Sequence, residues 1–127
     1  MTMLFTLLIL FQLKHFICDY PLQNRYMLGK MQPKDWFFPL LSHAAVHATA
    51  TFLIVMVFTQ ALMAAIFIGL LDLLSHFFID RLKASPSYGG QFKIEQPQFW
   101  WCLGADQMAH HLCHYFFIYL IILITEF

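Results

Sequence analysis

Charge is what this 127-residue chain has least of: 11% of its residues are Asp, Glu, Lys or Arg, against roughly a quarter in a soluble domain. A water-soluble protein of this length must cover itself in polar side chains, and seven Lys and Arg with seven Asp and Glu cannot do that. An ordinary soluble domain is excluded, and lipid takes the place of water around a chain that is 61% hydrophobic with a mean hydropathy of +0.67. The two signs of charge cancel, so there is no net basic field for nucleic acid. Cysteine is scarce as well. Cys18, Cys102 and Cys113 are odd in number and scattered, which provides neither a disulfide framework nor a thiolate cluster, and they read as small apolar filler. No internal repeat and no low-complexity tract interrupts the chain. Against these absences stand seven histidines, which a lipid-facing protein has no cheap place to put.

The apolar remainder falls into four stretches, at about residues 3–19, 38–58, 61–80 and 99–124. Each approaches the roughly 20 residues that cross a hydrocarbon core of about 30 Å as helix. Only Thr59-Gln60 separates the second from the third. A continuous helix through both, rising 1.5 Å per residue, would be nearly twice as long as the core is thick, so a tight hairpin is expected there. The reading is all-α: an integral membrane four-helix bundle, one domain over residues 1–127, with loops at about 20–37 and 81–98. Pro21, Gly29, Pro33 and the cap-like Asp35 mark the first loop, and Pro86, Gly89-Gly90 and Pro97 the second. The first span lacks a basic n-region and a small-residue cleavage site, so it reads as a retained helix.

Both loops lie on one side of a four-span protein. Arg25, Lys30, Lys34, Arg81, Lys83 and Lys93 fall in them, with Lys14 at the adjacent end of span one. The positive-inside rule therefore puts the loops in the cytoplasm and both termini outside, as in a multi-pass protein of the inner (plasma) membrane. Tyr20, Tyr26, Trp36, Trp100 and Trp101 fit the same interface.

Ionisable residues then recur at intervals of four. Span one has His15 and Asp19, span two His43 and His47, span three Asp72, His76 and Asp80, and span four Asp106, His110 and His114. Residues at i and i+4 share a helical face, and such groups are expensive in hydrocarbon, so the ladders should face the bundle interior and one another. All four lie in the loop-side half of their spans, which turns four local patterns into one converging site. Imidazoles and carboxylates without thiolates suit zinc, manganese or iron(II). Eight groups, His15, Asp19, His43, His47, His76, Asp80, Asp106 and His110, exceed the four ligands of one zinc, so two divalent ions are the natural count. Asp72 and His114, nearer midplane, extend the polar seam, and His111 points about 100° away from His110. Gln23, Lys83 and Gln107 flank the ladders and are candidates to orient a carboxylate or bind a substrate anion.

The pattern His15-x3-Asp19-x-Pro21-Leu22-Gln23, His43-x3-His47, His76-Phe77-x-Ile79-Asp80-x2-Lys83, Asp106-Gln107-x2-His110 resembles the small bacterial and phage membrane proteins grouped as domain of unknown function 3307. The resemblance covers nearly the whole chain and implies that the eight His and Asp residues above are its functional core; it implies no settled activity. More distantly, the chain is similar in ligand type and membrane setting to membrane-bound metal-dependent hydrolases.

Four functions remain open on these residues. One is a metal-dependent hydrolase acting on a phosphoester of a lipid or lipid-linked substrate, with Asp19 or Asp106 as general base. A second is a metal-ion or proton pathway, against which the outer half of the spans looks apolar apart from Thr51, Thr59 and Gln60. A third is haem ligation, which leaves the aspartates unexplained. The fourth is a non-catalytic protein whose metal staples the helices. A homo-oligomer is compatible with so thin a bundle, although no small-xxx-small motif marks an interface.

Overall fold

The structure, a computed structural model, describes residues 1–126; Phe127, the last residue of the expected domain, lies outside the described residues. Four helices carry the fold: α1 (Thr2–Asp19), α2 (Phe37–Thr59), α3 (Leu62–Ala84) and α4 (Pro97–Glu126). Short 3₁₀ turns at Met27–Met31 and Gly89–Gln91 lie in the two long connections. All four helices are long and apolar enough to cross a membrane, and the architecture is the all-α four-helix bundle of a multi-pass membrane protein. The outward faces are greasy: Leu13, Phe16, Leu53, Val57, Phe67, Leu74, Phe78 and Leu112 are each at least half exposed.

The hairpin between α2 and α3 turns over two residues, Gln60 and Ala61. Gln60 adopts the left-handed conformation (φ 51°) and its N–H donates to Met56 O, a helix C-cap in which one αL residue ends the helix. Thr59 Oγ1 accepts from the Ala61 N–H and donates to Val55 O, so this hydroxyl is spent on the turn itself. α2 and α3 then share the most extensive contact in the bundle. Gly69 permits the close approach, because a Cβ there would sit 3.4 Å from both Ala48 O and Phe52 Cβ.

Two details differ from the sequence reading. α3 runs one turn beyond Asp80, so Arg81 and Lys83 belong to its last turn and not to the loop expected from residue 81. Cations at a helix C-terminus complement its dipole, and extension stops only at Ser85, held extended (φ −62°, ψ 129°) by the following Pro86. The Arg81 guanidinium also stacks on Trp36, 3.5 Å from the ring centroid, which joins the end of α3 to the start of α2. Asp35, the cap-like residue, does not cap α2: it takes a left-handed turn (φ 57°), and Trp36 holds the N-cap position.

The bundle interior divides across its length. Leu7, Phe11, Val55, Ala65, Ile68, Phe117, Ile118 and Ile121 fill the half nearest the hairpin with an apolar core. The half nearest the long loops buries Lys14, His15, His43, His47, Asp72, His76, Asp80, Asp106, His110 and His114.

Candidate metal centre

Each helix contributes its ladder to this polar half, and the four-residue spacing also sets the imidazole tautomers. His76 Nδ1 hydrogen-bonds the carbonyl oxygen of Asp72 (3.2 Å), and His110 Nδ1 that of Asp106 (2.8 Å). An Nδ1–H given to a carbonyl leaves Nε2 as the free, ligating nitrogen. Both Nε2 atoms are buried and have no hydrogen-bond partner among the described residues.

Asp19 gathers three imidazoles. His47 Nε2 lies 3.0 Å and His43 Nε2 3.4 Å from its Oδ1, and His15 Nε2 lies 3.1 Å from Oδ2. Asp80 sits opposite, with His43 Nε2 at 3.1 Å from Oδ2 and His110 Nε2 at 3.4 Å from Oδ1. His43 thus touches both carboxylates and joins the two halves of the cluster. Atoms bound to one tetrahedral ion at about 2.0–2.2 Å stand roughly 3.4 Å apart, which is the spacing these donors already have. Three groups have ligand atoms within 4.8 Å of one another: His15, Asp19 and His47; Asp80, Asp106 and His110; and His15, His76 and His114. All eight residues expected as ligands lie in this one cluster, and the donor set fits a divalent ion.

Lysines and amides surround it. Lys30 Nζ donates to Asp80 Oδ2 (2.8 Å) and Lys83 Nζ to Asp106 Oδ2 (3.1 Å). Gln107 bridges two ladders, donating through Nε2 to Asp106 Oδ2 (2.9 Å) and lying through Oε1 3.2 Å from His15 Nε2. Gln23 does not reach a carboxylate; its Nε2 donates to the backbone carbonyl of Asp19 (3.0 Å) and so fixes the end of α1. Asp19, Lys30, Asp80, Lys83, Asp106 and Gln107 face a chamber of about 310 Å³ roofed by the two 3₁₀ turns. Glycine is required in that roof, since a Cβ at Gly90 would lie 2.4 Å from Ala84 O and one at Gly89 2.6 Å from Lys83 O. A second cleft of about 360 Å³, walled by Ile79, Leu82, Ala105 and Ala109 between α3 and α4, shares Lys83, Gly89, Cys102 and Asp106 with the chamber.

With the geometry described, the comparison with known proteins is specific. The family model described as "Protein of unknown function (DUF3307)" matches residues 7–126. This chain belongs to that family. No curated protein and no solved structure matches it. Every ladder residue lies within the matched range.

Three buried residues stand differently from their sequence reading. Lys14, counted there as an interfacial marker of the loop side, is 5% exposed and pairs with Asp72 at 2.6 Å. Asp72, treated as an extension of the seam, is fully buried and takes Lys14 Nζ and Thr51 Oγ1 on Oδ2 (2.6 Å each), with His76 Nδ1 2.7 Å from Oδ1. His114, ranked with it, is fully buried among the histidines. The i,i+4 step to His76 and to His110 was the available signal for Asp72 and His114. Lys14 carried none, because it precedes His15 by one residue and its direction depends on how α1 is rotated in the bundle. His111 remains half-buried at the edge, its ring 5.7 Å from that of His15.

Proposed function

We propose that this protein is a membrane-embedded, metal-dependent hydrolase acting on a phosphoester of a lipid or lipid-linked substrate. The observation that carries the reading is the chamber itself: the carboxylates of Asp19, Asp80 and Asp106 line it, imidazoles spaced as ligands pack against those carboxylates, and Lys30 and Lys83 stand in its wall. His15, Asp19 and His47 would hold one divalent ion and Asp80 with His110 a second, with His43 between them and Asp106 outside both ligand sets. Such ions, of the zinc, manganese or iron(II) class, polarise a phosphoryl oxygen and acidify water.

The chain's own residues divide the remaining work. Asp19 is committed to three imidazoles through both oxygens, so it serves as a ligand. Asp106 has one oxygen held by Lys83 and Gln107, while its buried Oδ1 has no partner. Oδ1 is therefore the general base: it takes the proton of the attacking water as that oxygen bonds phosphorus. It returns the proton to the departing alcohol as the P–O bond breaks. Lys83 and Lys30 attract and orient the anionic head group, and the apolar cleft between α3 and α4 gives its hydrocarbon chain a lateral way in from the bilayer. The loop-side charges support a mouth at the cytoplasmic leaflet of the inner membrane.

Transport finds less support. Leu7, Phe11, Val55, Ile68, Phe117 and Ile121 close the hairpin half with an apolar plug that has no polar lining.

The test is hydrolysis of a phosphomonoester lipid by the metal-loaded protein in detergent. Asp106→Asn should lower kcat by about 10²–10⁴-fold while the protein keeps its bound metal. A metal-stripped wild type that takes up neither zinc nor manganese would overturn the reading.

A further inference from the structure

The proposed hydrolytic centre leaves His76 and His114, the deepest histidines, unused. His15 of α1, His76 of α3 and His114 of α4 converge on the midplane side of the carboxylates, each at most 5% exposed, with one ring nitrogen apiece inside a 4.8 Å group. His114 is the least explained polar side chain of the bundle: it is fully buried and neither of its ring nitrogens has a hydrogen-bond partner among the described residues. A buried polar group left unpaired is costly, and His114 presents two. The rings of Phe11 and Phe117 pack on it at centroid distances of 5.3 and 6.4 Å, and the rings of His15 and His76 face it at 5.2 and 5.9 Å.

The other two members are also prepared. Asp72 holds His76 at Nδ1 and leaves Nε2 without a partner. His15 turns Nε2 to Asp19 and Gln107, and its Nδ1 has no partner. A neutral imidazole ligates through one nitrogen, so when His15 serves the deeper ion, Asp19, His43 and His47 remain for the ion facing the chamber. Lys14 pairs with Asp72 at 2.6 Å and balances that carboxylate.

The geometry points to a separate cation site formed by His15, His76 and His114, with Asp72 as its orienting carboxylate. Three imidazoles and no carboxylate ligand favour borderline ions such as Zn²⁺, Co²⁺ or Ni²⁺ and disfavour Mn²⁺ and Mg²⁺, which prefer oxygen donors. The groups facing the chamber contain one or two carboxylates each and accept both classes. The deep ion joins α1 to α3 and α4 at the boundary between the polar and apolar halves and stabilises the bundle independently of catalysis.

The experiment compares uptake of Co²⁺ and Mn²⁺ by the metal-stripped, full-length protein in detergent, measured by equilibrium dialysis. Wild type should bind one more equivalent of Co²⁺ than of Mn²⁺, and His114→Ala should lose that extra equivalent while keeping its Mn²⁺ uptake. His114→Cys places a thiolate at the same point, and with Co²⁺ it should show a sulfur-to-cobalt charge-transfer band absent from wild type. Cobalt uptake without manganese uptake would leave this site standing and defeat the carboxylate centre instead. Equal uptake of the two ions by wild type, or a monodisperse His114→Cys protein without the band, would overturn the proposal.

Discussion

Asp72 is the residue on which the polar half of the bundle depends most. It receives Lys14 from α1 and Thr51 from α2 and steadies His76 on its own helix, with no exposure to solvent or lipid. Attraction between buried charges is offset by the cost of desolvating both, so the pair itself adds little, whereas removing one partner strands the other. Asp72→Asn should therefore destabilise the protein by about 3–5 kcal/mol. Lys14→Met combined with Asp72→Leu should recover most of that loss; equilibrium unfolding in mixed detergent measures both. Equal stability of the single and double variants would mean that Lys14 finds another acceptor. Residue by residue, the ladders were readable because a step of four keeps a side chain on one face whatever surrounds the helix. What each ladder residue touches was not readable, since Lys83 reaches Asp106 on α4 although it stands three residues after Asp80 on α3.

At the level of elements, α3 and α4 are the pair that leaves a gap. α2 and α3 are drawn together by a two-residue turn and by Gly69, but between α3 and α4 the small side chains of Ala105 and Ala109 leave the cleft that runs into the chamber. If hydrocarbon enters there, Ala109→Phe should raise KM for a long-chain phosphoester severalfold and leave a short, water-soluble phosphoester unaffected. Parallel assays on the two substrates decide it, and an equal loss on both would show that the cleft is not the route. The helices themselves were legible to within a few residues, because hydropathy and turn-forming residues are local properties. Their ends moved where a neighbour intervened: Arg81 stacks on Trp36 and α3 continues by one turn.

For the whole molecule, the division into a polar and an apolar half gives the protein a direction. Arg25, Lys30, Lys34, Arg81, Lys83 and Lys93 all lie at the end that carries the two long connections, and in the proposed orientation, drawn from the positive-inside rule, that end faces the cytoplasm. Gln91 and Gln60 are both exposed, at opposite ends of the bundle. In a background without native cysteines, Gln91→Cys should react with a membrane-impermeant maleimide in inverted vesicles but not in spheroplasts. Gln60→Cys should show the reverse. The opposite pattern would move the site to the outer face and with it the pool of substrates available to the chamber.

The amino-acid sequence determined that this is a membrane protein, where its four helices run, and which face of each carries histidine and aspartate. Those properties follow from composition and from a 3.6-residue period, which each segment has by itself. Only the tertiary structure decided that Lys14 turns inward to Asp72, that His43 spans Asp19 and Asp80, and that His114 joins His15 and His76. A helical period orients a side chain relative to its own axis. Which side chains meet depends on the rotation and depth of each helix against the other three, and packing of the whole bundle sets those.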